Sequence, residues 1–141
     1  MGCNMHLHIE IKINDVWEHY GCPYIPRDYE MFGKMAGVRN KEIIPIVQPK
    51  GLPEDITLLT KIGHEQEKYH HESWFNISEI AEFEKWFNER AKRTKETFRW
   101  YPGASWFLYL EEMTGYLFCN GFTENTRLGI QDVRFVFWFD N

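Results

Sequence analysis

Hydrophobic and polar residues alternate strictly near the start of the chain, from Met5 to Ile13. The polar positions are His6, His8, Glu10 and Lys12. Period-two alternation that is rich in β-branched residues predicts a half-buried strand. Asn14-Asp15 suits a tight turn, so Val16–Tyr20 is expected to return as the second strand of a hairpin.

The last apolar segment, Val133–Phe139, has no such alternation, because hydrophobic residues occupy both of its faces apart from Arg134. A strand that is apolar on both faces is typical of a central position in a sheet. A charge inside such a strand must be paired or face a polar cavity. A salt bridge to an acidic residue is therefore expected for Arg134, in preference to an anionic ligand.

Helix signals dominate the middle of the chain. Asp28 can cap a short helix that ends at Gly37, and Asn76 with Glu79 forms a capping-box pattern. The second helix continues from that pattern through apolar positions at helical spacing, namely Ile80, Phe83, Phe87 and Ala91. A further helix is predicted around Trp106, Leu110 and Met113.

Two segments between these helices are harder to assign. Ile43–Val47 is predicted to be a short strand, at an edge or irregular because of Pro45. Glu54–Tyr69 is predicted to carry a helix, although Gly63 weakens it.

Strands near both ends with helices between them predict an α/β (α+β) fold. The expected architecture is a single mixed sheet, formed by the N-terminal hairpin and the C-terminal strand, with three to four helices packed on it. A length of 141 residues indicates one domain, residues 1–141.

Composition narrows the partners and the compartment. The net charge of −5 and the lack of a concentrated basic run argue against binding of duplex nucleic acid. No apolar run approaches the length that spans a membrane, so no membrane partner is expected. Three cysteines without CxxC spacing favour reduced thiols and a cytoplasmic location. An aromatic content of 17% indicates ring-dominated packing and favours a homodimer.

The polar side of the first strand raises the question of a metal. Alternate residues of one strand lie about 6.5–7 Å apart, so two of them can share an ion but rarely three. No cofactor is firmly implied. If a divalent metal binds, its ligands are expected to be His6, His8 and Glu10.

A second histidine cluster, His64–Trp74, resembles a zinc-protease helix only until its spacing is checked. That motif needs a second histidine four residues after the first, and position 68 is lysine. A solvated, charged helix end is favoured for this cluster, and the alternative is that His71, Ser73 and Trp74 line a pocket from a loop. Phosphate-loop, dinucleotide-binding and serine-hydrolase motifs do not occur in the sequence.

Five segments together resemble a family of uncharacterised proteins of bacteriophages and their bacterial hosts, whose members begin near MGCDIH and end near VRxVFWFDN. The matching segments are Met1–His6 with Glu10, Met31–Asn40, Pro49–Asp55, His71–Ile80 and Val133–Asn141. The resemblance implies a shared fold and a phage origin. Asn4 stands where the family usually has aspartate, which puts in doubt any role that needs a carboxylate there.

Many small phage proteins blunt host immunity by trapping or cleaving nucleotide signals, and this context shapes the leading hypothesis. According to this hypothesis, the chain is a phage-type cytoplasmic protein that binds and sequesters a small anionic, nucleotide-like ligand. The predicted ligand-binding residues are His6, Glu10, Arg39, Asn40, His71, Trp74 and Asp140. Trp74 would stack on a base, and Arg39 would neutralise phosphate.

Two alternatives stay open. The first is a metal- or histidine-dependent hydrolase of such a nucleotide, in which His6, His8 or His71 is a metal ligand or the general base. The second is a protein–protein inhibitor that blocks a host factor through an exposed aromatic face.

Overall fold

The N-terminal hairpin and the C-terminal strand lie side by side in one sheet. The computed structural model describes residues 2–93 and 129–141. The described strands are β1 (Met5–Ile13), β2 (Val16–Gly21), β3 (His70–Phe75) and β4 (Ile130–Phe139), and the described helices are α1 (Tyr29–Ala36), α2 (Leu58–His64) and α3 (Ile77–Arg93). The strand order is β2-β1-β4-β3, and each pairing is antiparallel.

This arrangement confirms the predicted α+β class and the placement of the hairpin and the closing strand. Asn14 and Asp15 both adopt left-handed backbone angles, with φ of 52° and 63°, as a two-residue hairpin turn requires. β4 has a neighbour on each side, as its two apolar faces indicate. The described sheet is antiparallel throughout rather than mixed.

Two local predictions are wrong. His70–Phe75 is the edge strand β3 rather than a helix end or a loop. Ile43–Val47 is not a strand, and this segment is held by a backbone hydrogen bond of 2.9 Å from Ile46 to Lys34. Pro45 has no N–H to donate, which prevents a regular ladder there.

The helices begin and end at the capping residues. Asp28 accepts a hydrogen bond from the backbone of Met31, and Gly37 ends α1 with φ of 73°. Asn76 and Glu79 exchange two hydrogen bonds of 2.9 Å, which confirms the capping box of α3. α2 is shorter than the predicted helix within Glu54–Tyr69. It begins after its capping residue Thr57 and ends at His64. The helix predicted around Trp106–Met113 lies outside the described residues.

One face of the sheet, here called the aromatic face, carries the hydrophobic core. Leu7 of β1 pairs with Phe137 of β4, whose ring lies 4.9 Å from that of Phe75. Helices α1 and α3 cover this face, since Phe32 contacts Phe139 and Phe83 contacts Phe75. Burial of these rings provides the main driving force for folding.

The opposite face, here called the polar face, carries the even-numbered residues of β1 together with Arg134, Val136 and Trp138 of β4. α2 packs on it so closely that a Cβ atom added to Gly63 would lie 2.8 Å from the His8 ring. Glycine therefore permits this helix to approach the sheet. Across residues 2–93 and 129–141, no helix is both long enough and apolar enough to cross a membrane.

Candidate functional site

An open cleft lies beside the first residues of β1. β2 ends at Gly21, opposite Ile9, and Pro23 then directs the chain away from the sheet. The resulting space, here called the edge cleft, has a volume of about 540 Å³. Its lining residues are Asn4, Met5, His6, Leu7, Cys22, Pro23, Tyr24 and Ile25. This volume lies within the range of small-molecule sites, about 300–1,000 Å³.

His6 and Asp140 form a hydrogen-bonded pair at the edge cleft. The Nε2 atom of His6 lies 3.1 Å from Oδ2 of Asp140, and the Asn4 backbone N–H donates to the other carboxylate oxygen at 2.8 Å. Burial raises the pKa of Asp140, but the hydrogen bonds from Asn4 and His6 outweigh burial and hold that pKa below its ordinary value. The carboxylate is therefore ionised at neutral pH and orients the imidazole.

Two guanidinium groups lie close to this pair. Arg27 donates from Nε to the Asn4 side-chain oxygen at 2.8 Å, and within residues 2–93 and 129–141 it forms no ion pair. Arg39 donates to the backbone carbonyl of Asn141 at 3.1 Å. These groups place two positive charges near the ionised Asp140 carboxylate, although the whole chain is acidic.

The buried thiol of Cys3 lies behind this site. Its Sγ atom donates to the Asp140 backbone carbonyl at 3.0 Å. Burial raises the pKa of the thiol, against the opposing effect of Arg39. Cys3 therefore helps to fix the segment that carries Asp140 and is a thiol at neutral pH.

A hydrogen-bonded array of three side chains runs from the cleft into the polar face. Cys22 lies 3.7 Å from Nε2 of His8, and Nδ1 of His8 lies 2.9 Å from Nε2 of His19. Burial and the neighbouring His19 lower the pKa of His8 to about 4, and burial raises the pKa of the Cys22 thiol. The array is therefore uncharged at neutral pH, so Cys22 is not an activated nucleophile.

Trp138 is the centre of an aromatic cluster beneath α2. The His8 ring stacks on it at 4.9 Å, while His64 and Tyr69 lie 5.0 and 5.7 Å away. His6 contacts the other side of this cluster through Tyr69, at 5.1 Å. The indole N–H of Trp138 is buried without a hydrogen-bond partner in the described part of the chain.

Glu10 lies at the other end of the polar face and is fully buried. Arg134 donates to one carboxylate oxygen at 2.7 Å, and Thr57 N–H and the Thr60 hydroxyl donate to the other at 2.9 and 2.7 Å. Arg134 also pairs with Asp55 at 2.7 Å, which confirms the salt bridge predicted for this arginine. Glu10 therefore anchors the start of α2, about 13 Å along β1 from His6.

Three other predicted site residues are separated from the edge cleft. Trp74 lies in mid-strand, opposite Val136, with the Lys50 ammonium 3.7 Å from the centre of its ring. Asn40 closes the turn after α1 by accepting a hydrogen bond from Glu42 at 3.2 Å. His71 is on the edge strand, where its ring contacts His70.

The structure thus brings His6, Arg39 and Asp140 together. The other four predicted residues lie elsewhere, namely Glu10, Asn40, His71 and Trp74. It adds residues of the loop after β2, above all Arg27 and Tyr24, which no motif in the sequence marks. The contact between His8 and His19 did have a sequence signal. A two-residue turn at Asn14-Asp15 places His19 opposite Glu10, and therefore diagonal to His8 on the same face.

No group of three or more His, Cys, Asp or Glu side chains in the described ranges is arranged to hold a metal ion. His6, His8 and Glu10 each contact different partners, so they do not converge on one point. No protein-family model, curated protein or solved structure gives a match to this chain.

Proposed function

We propose that the protein binds a small anionic, nucleotide-like ligand in the edge cleft and thereby sequesters it. The observation that carries this proposal is the cleft itself, of about 540 Å³, with the His6–Asp140 pair and Arg27 beside it. A cleft with a few polar groups at its margin is the usual form of a small-molecule site.

Each feature of such a ligand has a group that suits it. Arg27 can donate two hydrogen bonds to a phosphate, because its guanidinium has no competing ion pair in the described structure. Tyr24 has a ring that is 86% exposed and can stack on a base. The ionised carboxylate of Asp140 can accept hydrogen bonds from sugar hydroxyls.

The biological role follows from the family resemblance. A phage protein that holds a nucleotide signal of its host would suppress the defence that the signal activates, and it would act in the cytoplasm. The resemblance supports this setting by analogy, whereas the cleft supports the chemistry.

Calorimetry tests the proposal with the full chain. The panel consists of AMP, ADP, cyclic AMP, linear and cyclic dinucleotides, and cyclic ADP-ribose. Arg27→Gln is expected to weaken binding of the best compound about tenfold or more, since hydrogen bonds to charged groups contribute about 1.5–3 kcal/mol. Tyr24→Ala should weaken it as well.

The matched control is Lys61→Gln, which removes an exposed positive charge from α2, away from the cleft. It should bind like the wild type. The proposal is wrong if no compound of the panel binds, or if Arg27→Gln and Lys61→Gln have equal effects.

A hydrolase remains a second candidate because of the geometry of His6. This side chain is 38% exposed, lines the cleft and is oriented by Asp140 at 3.1 Å, which is the arrangement of a general base. Chromatography after incubation with the bound compound distinguishes the two functions. Turnover that is lost in His6→Gln while binding persists would favour the hydrolase, and an unchanged compound would favour sequestration.

A further inference from the structure

Two neighbouring histidines at the start of β3 point to the same side of the strand. In a regular strand, successive side chains alternate between faces. Here the register shifts between His70 and Ser73, and His71 adopts a left-handed backbone with φ of 54°. As a result, the Nδ1 atoms of His70 and His71 lie only 2.7 Å apart.

The hydrogen bonds of the pair fix the tautomer of the His70 ring. Its Nε2 atom lies 3.1 Å from the backbone carbonyl of Asp140, and a carbonyl oxygen can only accept. Nε2 of His70 therefore carries the hydrogen, so the lone pair of the neutral ring is on Nδ1. Without a metal, the Nδ1–H of His71 donates to that lone pair.

We propose that the His70–His71 pair binds a divalent transition metal, Ni²⁺ or Cu²⁺, through its two Nδ1 atoms. Water molecules fill the other coordination positions. The hydrogen of His71 then moves from Nδ1 to Nε2. Both rings therefore bind the metal in their neutral form, and no proton is released. This site has no ligand in common with the edge cleft, although Asp140 contacts both, and it does not depend on the proposed function.

The distance between the two nitrogens selects the geometry of the metal. Two nitrogens at right angles around an ion, with bonds of 2.0–2.1 Å, are about 2.9 Å apart, whereas a tetrahedral ion requires about 3.3 Å. The observed 2.7 Å is the length of the metal-free hydrogen bond, so both rings must rotate to face an ion, and the right-angle arrangement requires the smaller opening. Tetragonal and octahedral preferences are those of Cu²⁺ and Ni²⁺, and tetrahedral coordination is that of Zn²⁺.

The surroundings of His70 also suit a metal ligand. A ligating histidine almost always donates its second ring N–H to a carbonyl or a carboxylate, which orients the ring. The Asp140 carbonyl has this role, and the Phe139 ring stacks on His70 at 6.3 Å.

Titration of the full chain with NiSO₄, CuSO₄ and ZnSO₄ tests the site. Calorimetry should show one Ni²⁺ or Cu²⁺ per chain and weaker binding of Zn²⁺ than of Ni²⁺. The comparison is with Ni²⁺ because Cu²⁺ exceeds Zn²⁺ at almost any nitrogen site. Electron paramagnetic resonance of the Cu²⁺ complex should show coupling to two imidazole nitrogens.

His71→Asn and His71→Gly both retain a residue that tolerates the left-handed backbone, so the bulge should persist. Both variants should bind Ni²⁺ about tenfold or more weakly, with one nitrogen lost from the Cu²⁺ spectrum. His19→Gln, at the opposite edge of the sheet, is the control and should bind like the wild type. The inference is overturned if both His71 variants retain wild-type affinity, if Zn²⁺ binds more tightly than Ni²⁺, or if the metal binds only non-stoichiometrically.

Discussion

Replacing Glu10 with glutamine should destabilise the fold strongly, even though the side chain keeps its size. Arg134 donates to one carboxylate oxygen of Glu10, and Thr57 N–H with the Thr60 hydroxyl donates to the other. Donors thus face both oxygens. The amide NH₂ of glutamine would replace one oxygen, and a donor would then face a donor.

The magnitude follows from the burial of the pair. The side chains of Arg134 and Glu10 are 5% and 0% exposed. Burial raises the pKa of Glu10, yet its hydrogen bonds with Thr57, Thr60 and Arg134 hold that pKa below the ordinary value, so the carboxylate is charged. Breaking a buried pair by removing one charge costs about 3–5 kcal/mol. Asp55 still pairs with Arg134, so we expect about 3 kcal/mol.

Urea unfolding followed by tryptophan fluorescence measures this loss. With a typical slope of about 2 kcal/mol per molar, the midpoint should fall by about 1.5 M. Asp55→Asn is the matched control, because the Asp55 side chain is 66% exposed and its pair should contribute less than about 1 kcal/mol. The double variant Glu10→Leu/Arg134→Leu should recover much of the loss, since it leaves no buried charge unpaired. A urea midpoint of Glu10→Gln within about 0.3 M of the wild-type midpoint would refute the reasoning.

Three further predictions concern single side chains. The pKa of His8 is lowered from 6.5 to about 4, so the unfolded chain binds the proton more readily than the folded chain. The free energy of unfolding should therefore fall by about 3 kcal/mol as the pH drops from 6.5 to 4. His8→Phe, which keeps a ring on Trp138, should flatten this pH dependence in melting experiments. Gly63→Ala should cost about 1–2 kcal/mol in urea unfolding, because the new Cβ would lie 2.8 Å from the His8 ring, whereas an unchanged or raised stability would show that α2 can shift. Asn76→Ala should cost about 1 kcal/mol in thermal unfolding while Asn76→Ser retains the cap, and equal losses would contradict a capping role.

The sequence predicted secondary structure best where the pattern of apolar residues fits only one type of element. Alternation along Met5–Ile13 and the two apolar faces of Val133–Phe139 both reflect which sides of a strand are covered, and both strands are present. β3 was missed because a left-handed residue at His71 breaks the alternation and because His70–Phe75 is polar for a strand. Ile43–Val47 is apolar, but Pro45 deprives it of a ladder.

The candidate site was only partly predictable, because its contacts join distant segments. His6 meets Asp140 through the register between β1 and β4, and that register is a tertiary property. Glu10 belongs to the same polar face as His6, yet α2 covers Glu10 and leaves His6 beside the edge cleft. Arg27 and Tyr24 are in a loop without any periodic pattern, so nothing in their spacing distinguished them from other surface residues.

The pairing of β1 with β4 has a consequence for how the protein reaches its native state. Leu7 pairs with Phe137, so 130 residues separate two partners at the centre of the sheet. During synthesis, β1 leaves the ribosome long before β4 exists, and the core cannot close until the last strand has emerged. Such high contact order implies slow folding, with an apolar strand exposed to aggregation in the meantime. A circular permutant that joins residue 141 to residue 2 by a short linker, and so keeps these contacts, should therefore fold faster than the natural order of the chain.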